Sequence, residues 1–275
     1  MSNYEFVNVL DRANVDDYIA LFIKSYGINN KLTAAYLHWL YEENPHGRAI
    51  GFDAYLDGEL AAHYVTIPRI YRIGNENIPG VLSVNTATHP NHQRKGLFTR
   101  LAAATYERAE QEGYHFIVGI ANAQSISGFL NKLEFQHLGQ IRLALWRKPP
   151  YEPNGYALLD KGKDWMSWRL SNPSAKYFLT HGGDDESIIN TRRGRVVFSI
   201  GRTKNSFLPD SMSNTLRQGD YRLASLTPVN PSKGYSPFLP KLLMPSPWHI
   251  VLRRMGARMD NISKIHFDGL SMDTF

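Results

Sequence analysis

Apolar and polar positions alternate with two different periods along the first half of the chain. Tyr4 to Leu10 steps between apolar and polar residues as a half-buried strand does. From about Val15 to Tyr26 the spacing lengthens to that of a helix, with Tyr18, Leu21, Phe22 and Tyr26 on one face and Asp11 and Asn14 offered as caps. A second helix is expected over roughly Leu32 to Glu42, stopped by Asn44-Pro45 and Gly47. Strand spacing returns in Ile50 to Leu56 and Glu59 to Ile67, separated by Asp57-Gly58, a pair suited to the positive φ angles of a type I′ hairpin turn. Gly74 to Asn77 then leads to the β-branched run Val81 to Thr88, which Pro90 ends.

Beyond Pro90, Leu97, Leu101, Thr105 and Ala109 mark the apolar face of a long helix that Gly96 opens and Gly113 closes. Tyr114 to Ala121 is apolar throughout, as a buried parallel strand is. A short helix from Asn122 to about Leu133 and closing strands over Phe135 to Trp146 complete this unit. Three prolines between Lys148 and Gly155 mark a linker. Past it, Trp168 to Pro173 echoes Trp39 to Pro45 about 128 residues further on. Asn230 to Gly234 likewise echoes the turn at His89 to Gly96, and Trp248 to Val251 the strand at Tyr114 to Val118. A second, degenerate α/β half is therefore expected, with strands at Val196 to Ile200, Tyr221 to Leu226 and Ile262 to Phe267. Pro237 and Pro240 break the helix that its own turn would need.

Composition narrows the chemistry. The 275 residues contain no cysteine, which excludes disulfides, a thiol nucleophile and thiolate metal sites. With no apolar run of membrane-spanning length and no signal peptide, the expected location is the cytoplasm, away from membranes. A net charge of +6 favours anionic partners, coenzyme A or nucleic acid among them. The basic residues lie in small scattered groups such as Arg192, Arg193 and Arg195, without a nucleic-acid motif, so nucleic acid is not an expected partner. No histidine and carboxylate spacing marks a metal site, and no serine elbow appears.

What remains is the strand–turn–helix around Gly96. Unpaired amides at a helix start, with the positive end of its dipole, make a site for phosphate oxygens, and Arg94 and Lys95 add charge. The turn lacks the Gly-Lys-Ser/Thr of a nucleoside triphosphate loop and the Gly-x-Gly-x-x-Gly of a dinucleotide loop.

Gln93, Gly96 and the order of elements around them resemble the GNAT superfamily of acetyl-CoA-dependent N-acetyltransferases over roughly residues 3 to 147. The resemblance implies a mixed sheet whose parallel pair splays to admit the pantetheine arm. It divides the chain into an acetyl-CoA-binding GNAT domain at 1–147, a linker at 148–155 and a smaller, degenerate GNAT-like half at 156–275. It also implies that Gln93, Arg94, Lys95, Gly96, Leu97 and Phe98 hold the pyrophosphate and that the main chain of Thr86, Ala87 and Thr88 bonds the arm. Asn122 either bonds the arm too or caps its helix. Phe98 stands where the family usually has a small residue, and Leu82 and Leu130 stand where it often has a Glu base and a Tyr acid. His63 is left as the candidate for proton transfer if its strand turns it into the cleft, and as a structural histidine otherwise. His89 and His92 flank the turn, for phosphate or solvent contact as much as for catalysis. The implied activity is direct acetyl transfer to a primary amine of a small molecule. A looser likeness to acetyltransferases of bacterial surface-polysaccharide loci brings in amino-sugars, and the alternative is a non-catalytic acyl-CoA-binding sensor.

Overall fold

The computed structural model describes residues 3–29, 31–123, 125–145, 156–193, 196–209, 212, 221–226, 248–256 and 264–271. The expected linker at 148–155 and the segment 230–234 lie outside these residues.

Strand β1 (Glu5–Asn8) leads to helix α1 (Val15–Tyr26), which Asn14 and Asp17 start as a reciprocal capping box. Thr33 caps α2 (Ala34–Tyr41). Strands β2 (Ile50–Leu56) and β3 (Glu59–Ile73) are joined by the Asp57-Gly58 turn, whose φ angles of 51° and 85° are those a type I′ turn requires. Strand β3 runs on past Ile67, and β4 (Glu76–Thr88) returns beside it. A 3-10 turn at Pro90–His92 and the Gly96 turn lead into α3 (Leu97–Gln111). Strand β5 (Phe116–Ala121) follows, parallel to β4, and then α4 (Ile126–Lys132) and β6 (Gln136–Leu145). The second half contributes β7 (Leu158–Leu159), α5 (Lys163–Leu170), β8 (Tyr177–Gly183), β9 (Glu186–Arg193), β10 (Val196–Lys204), β11 (Tyr221–Leu226) and β12 (Trp248–Arg254).

All of the strands among the described residues belong to one sheet, ordered β1-β2-β3-β4-β5-β12-β6-β11-β10-β9-β8, with β7 against β3. The pairings from β2 to β5 are antiparallel, antiparallel and parallel, and those from β8 to β11 repeat them in the same sequence. The second half expected from the sequence is thus an α/β unit whose strands pair in the order of the first. Its last strand is not where the sequence echo put it. Trp248 to Val251 belongs to β12, which pairs antiparallel with β5 and with β6, while β6 in turn pairs with β11. Each half lends its final strand to the other. The closing strands expected over Phe135 to Trp146 are accordingly the single strand β6, and Ile262 to Phe267 gives, among the described residues, only an isolated bridge from Ile265 to Ala157.

Two apolar layers cover the sheet. One packs α1, α2 and α5 over residues of both halves, including Leu37, Leu40, Trp39, Trp168, Ile200 and Leu270. The other packs α3 and α4, through Leu97, Leu101 and Phe129, on Val81, Ile117 and Val251. Both are contiguous buried cores of the kind that dominates stability.

Candidate active site

Parallel pairing of β4 with β5 covers only Val81 to Ser83 against Ile117 to Gly119. Past that point the strands part, and a cavity of about 970 Å³ opens between them, walled by Ser83, Asn85, Thr86, Ile120, Phe129 and Trp248. A bulge keeps β4 off its neighbour: Asn85 and Thr86 both lie opposite Tyr64, between the pairs Val65–Val84 and His63–Ala87. Asn85 takes φ 46°, the left-handed conformation that asparagine tolerates better than most residues.

At the far end of the cavity, where Gln93 and Phe98 line it, stands the turn before α3. Arg94 and Gly96 have φ of 61° and 76°, which curls the chain so that its amides face outward at the start of α3. Among the described residues no protein acceptor meets the amides from Arg94 to Phe98, and a Cβ on Gly96 would enter open space. Gln93 lines the cavity, while Arg94 and Lys95 are exposed beside the turn. Phe98 packs edge-on against Tyr64 and Phe129, with centroids 5.8 Å and 5.7 Å away, so the large ring forms a wall and leaves the cavity open.

The main chain of Thr86 and Thr88 already meets protein groups. Tyr26 Oη donates to the Thr86 carbonyl at 2.7 Å, and Ser25 Oγ to that of Thr88 at 3.2 Å. Tyr26 is 51% exposed, because the end of α1 overhangs the cavity instead of facing the core as its spacing implied. Ala87 is buried and also lines the cavity. Asn122 lines the cavity, and its Oδ1 accepts from the amide of Ser125, the residue that itself stands at the N-cap of α4 without a side-chain cap bond.

His63 does not reach the cavity. Its ring is fully buried, with Nδ1 2.7 Å from Asp53 Oδ1 and Nε2 3.1 Å from Tyr41 Oη. Asp53 also accepts from Tyr18 Oη at 2.7 Å, and Asn85 Nδ2 donates to Tyr41 Oη at 3.2 Å. The chain Asp53–His63–Tyr41–Asn85 thus runs from the core to the cavity wall. Burial holds the Tyr41 phenol well above its ordinary pKa, so it stays protonated and able to donate. His89 and His92 are structural at this end. His89 Nδ1 accepts from the Asn91 amide, and Tyr4 Oη bonds His92 Nδ1 at 2.8 Å. Among the described residues no cluster of three or more His, Asp or Glu side chains is arranged to hold a metal ion.

Leu82 is 2% exposed in the core layer, and Leu130 packs against the other. No carboxylate lines the cavity among the described residues. Asp53, Tyr26 and Trp248 are the site's unanticipated members.

The corresponding place in the second half is filled. Parallel pairing of β10 with β11 ends at Ser199 and Ala224, and the next residues, Ile200 and Gly201, are covered by the segment around Leu270. The Leu270 amide donates to the Ile200 carbonyl at 2.9 Å, and Gly201 lies against the Leu270 side chain with no space for a Cβ. A buried Lys161–Asp268 ion pair at 2.6 Å anchors that segment. Pro237 and Pro240 lie outside the described residues; among those described, it is Leu270 that occupies the place beside Ile200 and Gly201.

No curated protein sequence matches the chain. Solved structures do match it in fold. A GCN5-related N-acetyltransferase from Kribbella flavida, 11% identical, superposes with a TM-score of 0.61 over 92% of this chain and 71% of its own. One from Anabaena variabilis, 12% identical, gives 0.60 over 91% and 72%. A tandem GNAT protein from the clavulanic acid biosynthesis pathway, 9% identical, gives 0.52 over 93% of this chain and 99% of that protein. The family model for the acetyltransferase (GNAT) domain matches residues 7–136. Residues 7–136 thus match the GNAT acetyltransferase domain in sequence, and the parallel pair that parts after three residues lies within that match.

Proposed function

We propose that the protein transfers an acetyl group directly from acetyl-CoA to a primary amine of a small molecule, amino-sugars being one candidate class. One observation carries this reading: a single open cavity connects unpartnered amides at the Gly96 turn to the gap between β4 and β5. The turn from Gln93 to Phe98 grips the diphosphate, and the strand at Thr86 to Thr88 lies along the pantetheine arm with Asn122 across from it. The thioester is thereby aimed at the bulge. Tyr26, Tyr36 and Lys31 from the first helices and their connection, and Trp248 from β12, bound the acceptor side. Holding amine and thioester together in one orientation supplies much of the rate such a transfer needs. His63, buried and bonded at both ring nitrogens, acts through Tyr41 and not by contact. The linker at 148–155 and the division into two halves belong to the same reading, supported by the repeated strand pairings.

A second reading, an acyl-CoA-binding sensor without turnover, draws support from Leu82, Leu130 and the lack of a carboxylate in the cavity among the described residues. Calorimetric binding of acetyl-CoA, together with thiol release across a panel of amines, separates the two. Transfer predicts thiol release with at least one amine. Tight binding with no release from any amine supports the sensor.

A further inference from the structure

Asp53 is a fully buried carboxylate, and its two oxygens meet two donors, Tyr18 Oη and the Nδ1 edge of His63. An ionised carboxylate only accepts, so the proton between Asp53 and His63 sits on Nδ1. In the tautomer with Nδ1 as donor, Nε2 is the acceptor, and the Tyr41 hydroxyl donates to it. The Tyr41 oxygen is left as an acceptor, so Asn85 presents its NH₂ to it. Four residues in line leave Asn85 one orientation of its amide. Among the described residues its Oδ1 has no partner, and Asn85 lines the cavity at the bulge beside the end of β4–β5 pairing.

We propose that Asn85 Oδ1 receives an N–H of the acceptor amine and turns the nitrogen lone pair toward the thioester, with Tyr41, His63 and Asp53 as positioning residues that fix the amide's orientation. This rests on the acetyltransferase reading above. The chemistry suits a site without a carboxylate base. An amide oxygen is far too weak a base to take the proton, so the amine enters neutral and is oriented, not deprotonated, by Asn85. Its lone pair attacks the carbonyl carbon, the C–N bond forms as the C–S bond breaks, and the sulfur leaves with the bonding pair. The surplus amine proton passes to that thiolate, directly or through water, giving the amide and free thiol.

The test uses the full chain with acetyl-CoA and four probes, glucosamine, spermidine, kanamycin and lysine, carried forward with the fastest. Asn85→Gly removes the side chain at a positive φ that glycine adopts without strain, so folding is retained. The expected result is a fall in kcat/KM for the amine of roughly 10- to 100-fold, with acetyl-CoA affinity within about twofold of the original. Tyr41→Phe leaves Asn85 untouched but removes what orients it. It is expected to raise KM for the amine about tenfold with acetyl-CoA affinity again unchanged, a split that a merely structural role would not produce. If both variants keep amine kinetics within about twofold of the original, Asn85 has no such role and the acetyltransferase reading stands. If the unmodified chain binds acetyl-CoA and releases no thiol with any probe, the acetyltransferase reading falls and this one with it.

Discussion

Trp39 and Trp168 stack face to face, centroids 4.4 Å apart and planes 10° from parallel, and each indole N–H donates to the other's backbone carbonyl. The pair joins α2 to α5 at matching places in the two halves. Both tryptophans are buried, at 2% and 6% exposure. Replacing either by Phe removes an indole N–H bond and opens a gap, and should cost about 2–3 kcal/mol in chemical denaturation. Because the partners act as a unit, the double variant should cost less than the sum, by about 1 kcal/mol or more. Simple additivity would mean that the stack is incidental.

Gly96→Asp is expected to raise the dissociation constant for coenzyme A at least about 100-fold while moving the melting temperature little. The new side chain would stand in open space at φ 76°, so its strain is modest, whereas its carboxylate would lie beside the diphosphate. Gly96→Ala should lose far less. Equal affinities for all three proteins would put the coenzyme elsewhere.

The acid sensitivity of the fold should carry the mark of His46. The Ile70 amide donates to its Nδ1 at 3.2 Å, and burial first, then the Arg69 charge, push its pKa down from 6.5 to about 4. Above pH 6.5 folded and unfolded chains bind the same number of protons here. Between 6.5 and 4 the unfolded chain takes up a proton that the folded one refuses, so stability falls with pH by at most about 1.4 kcal/mol per unit. Urea unfolding at pH 7 and pH 5 should record the loss, and His46→Gln should reduce the slope. An unaltered slope would assign the acid sensitivity to other groups.

A fragment ending at residue 147 should fail to fold alone. It lacks β12, which stands between β5 and β6, and it lacks the Trp168 that covers Trp39. Circular dichroism should show no cooperative melt, and co-expression with residues 148–275 should restore one. A well-folded monomeric fragment would show that the lent strand is dispensable.

Local chemistry made much of the first half legible. Asn14 starts α1 and Asp57-Gly58 forms its turn because caps and tight turns are decided within a few residues. The Gly96 turn was equally readable. The exchange of β6 and β12 was not, since strand pairing across more than a hundred residues leaves no periodic trace. Nor was the Asp53–His63 contact. Counting from the turn, Leu56 faces Glu59 and Tyr55 faces Leu60, a register that would set Asp53 opposite Ala62. A bulge between Ala54 and Tyr55 shifts it by one residue and brings Asp53 to His63. Tyr26 was misjudged for another reason. Helical spacing gives the side of α1 it occupies but not that α1 ends above an open cavity.

The reciprocal loan of β6 and β12 fixes when this protein can first become itself. During synthesis β5 emerges long before the strand that will lie beside it, and its edge must wait while more than a hundred further residues leave the ribosome. The same arrangement is what two copies of one smaller ancestor would adopt by swapping their last strands, later joined in a single gene. A unit so joined needs no ligand groove of its own, because the strand it supplies is reason enough to keep it.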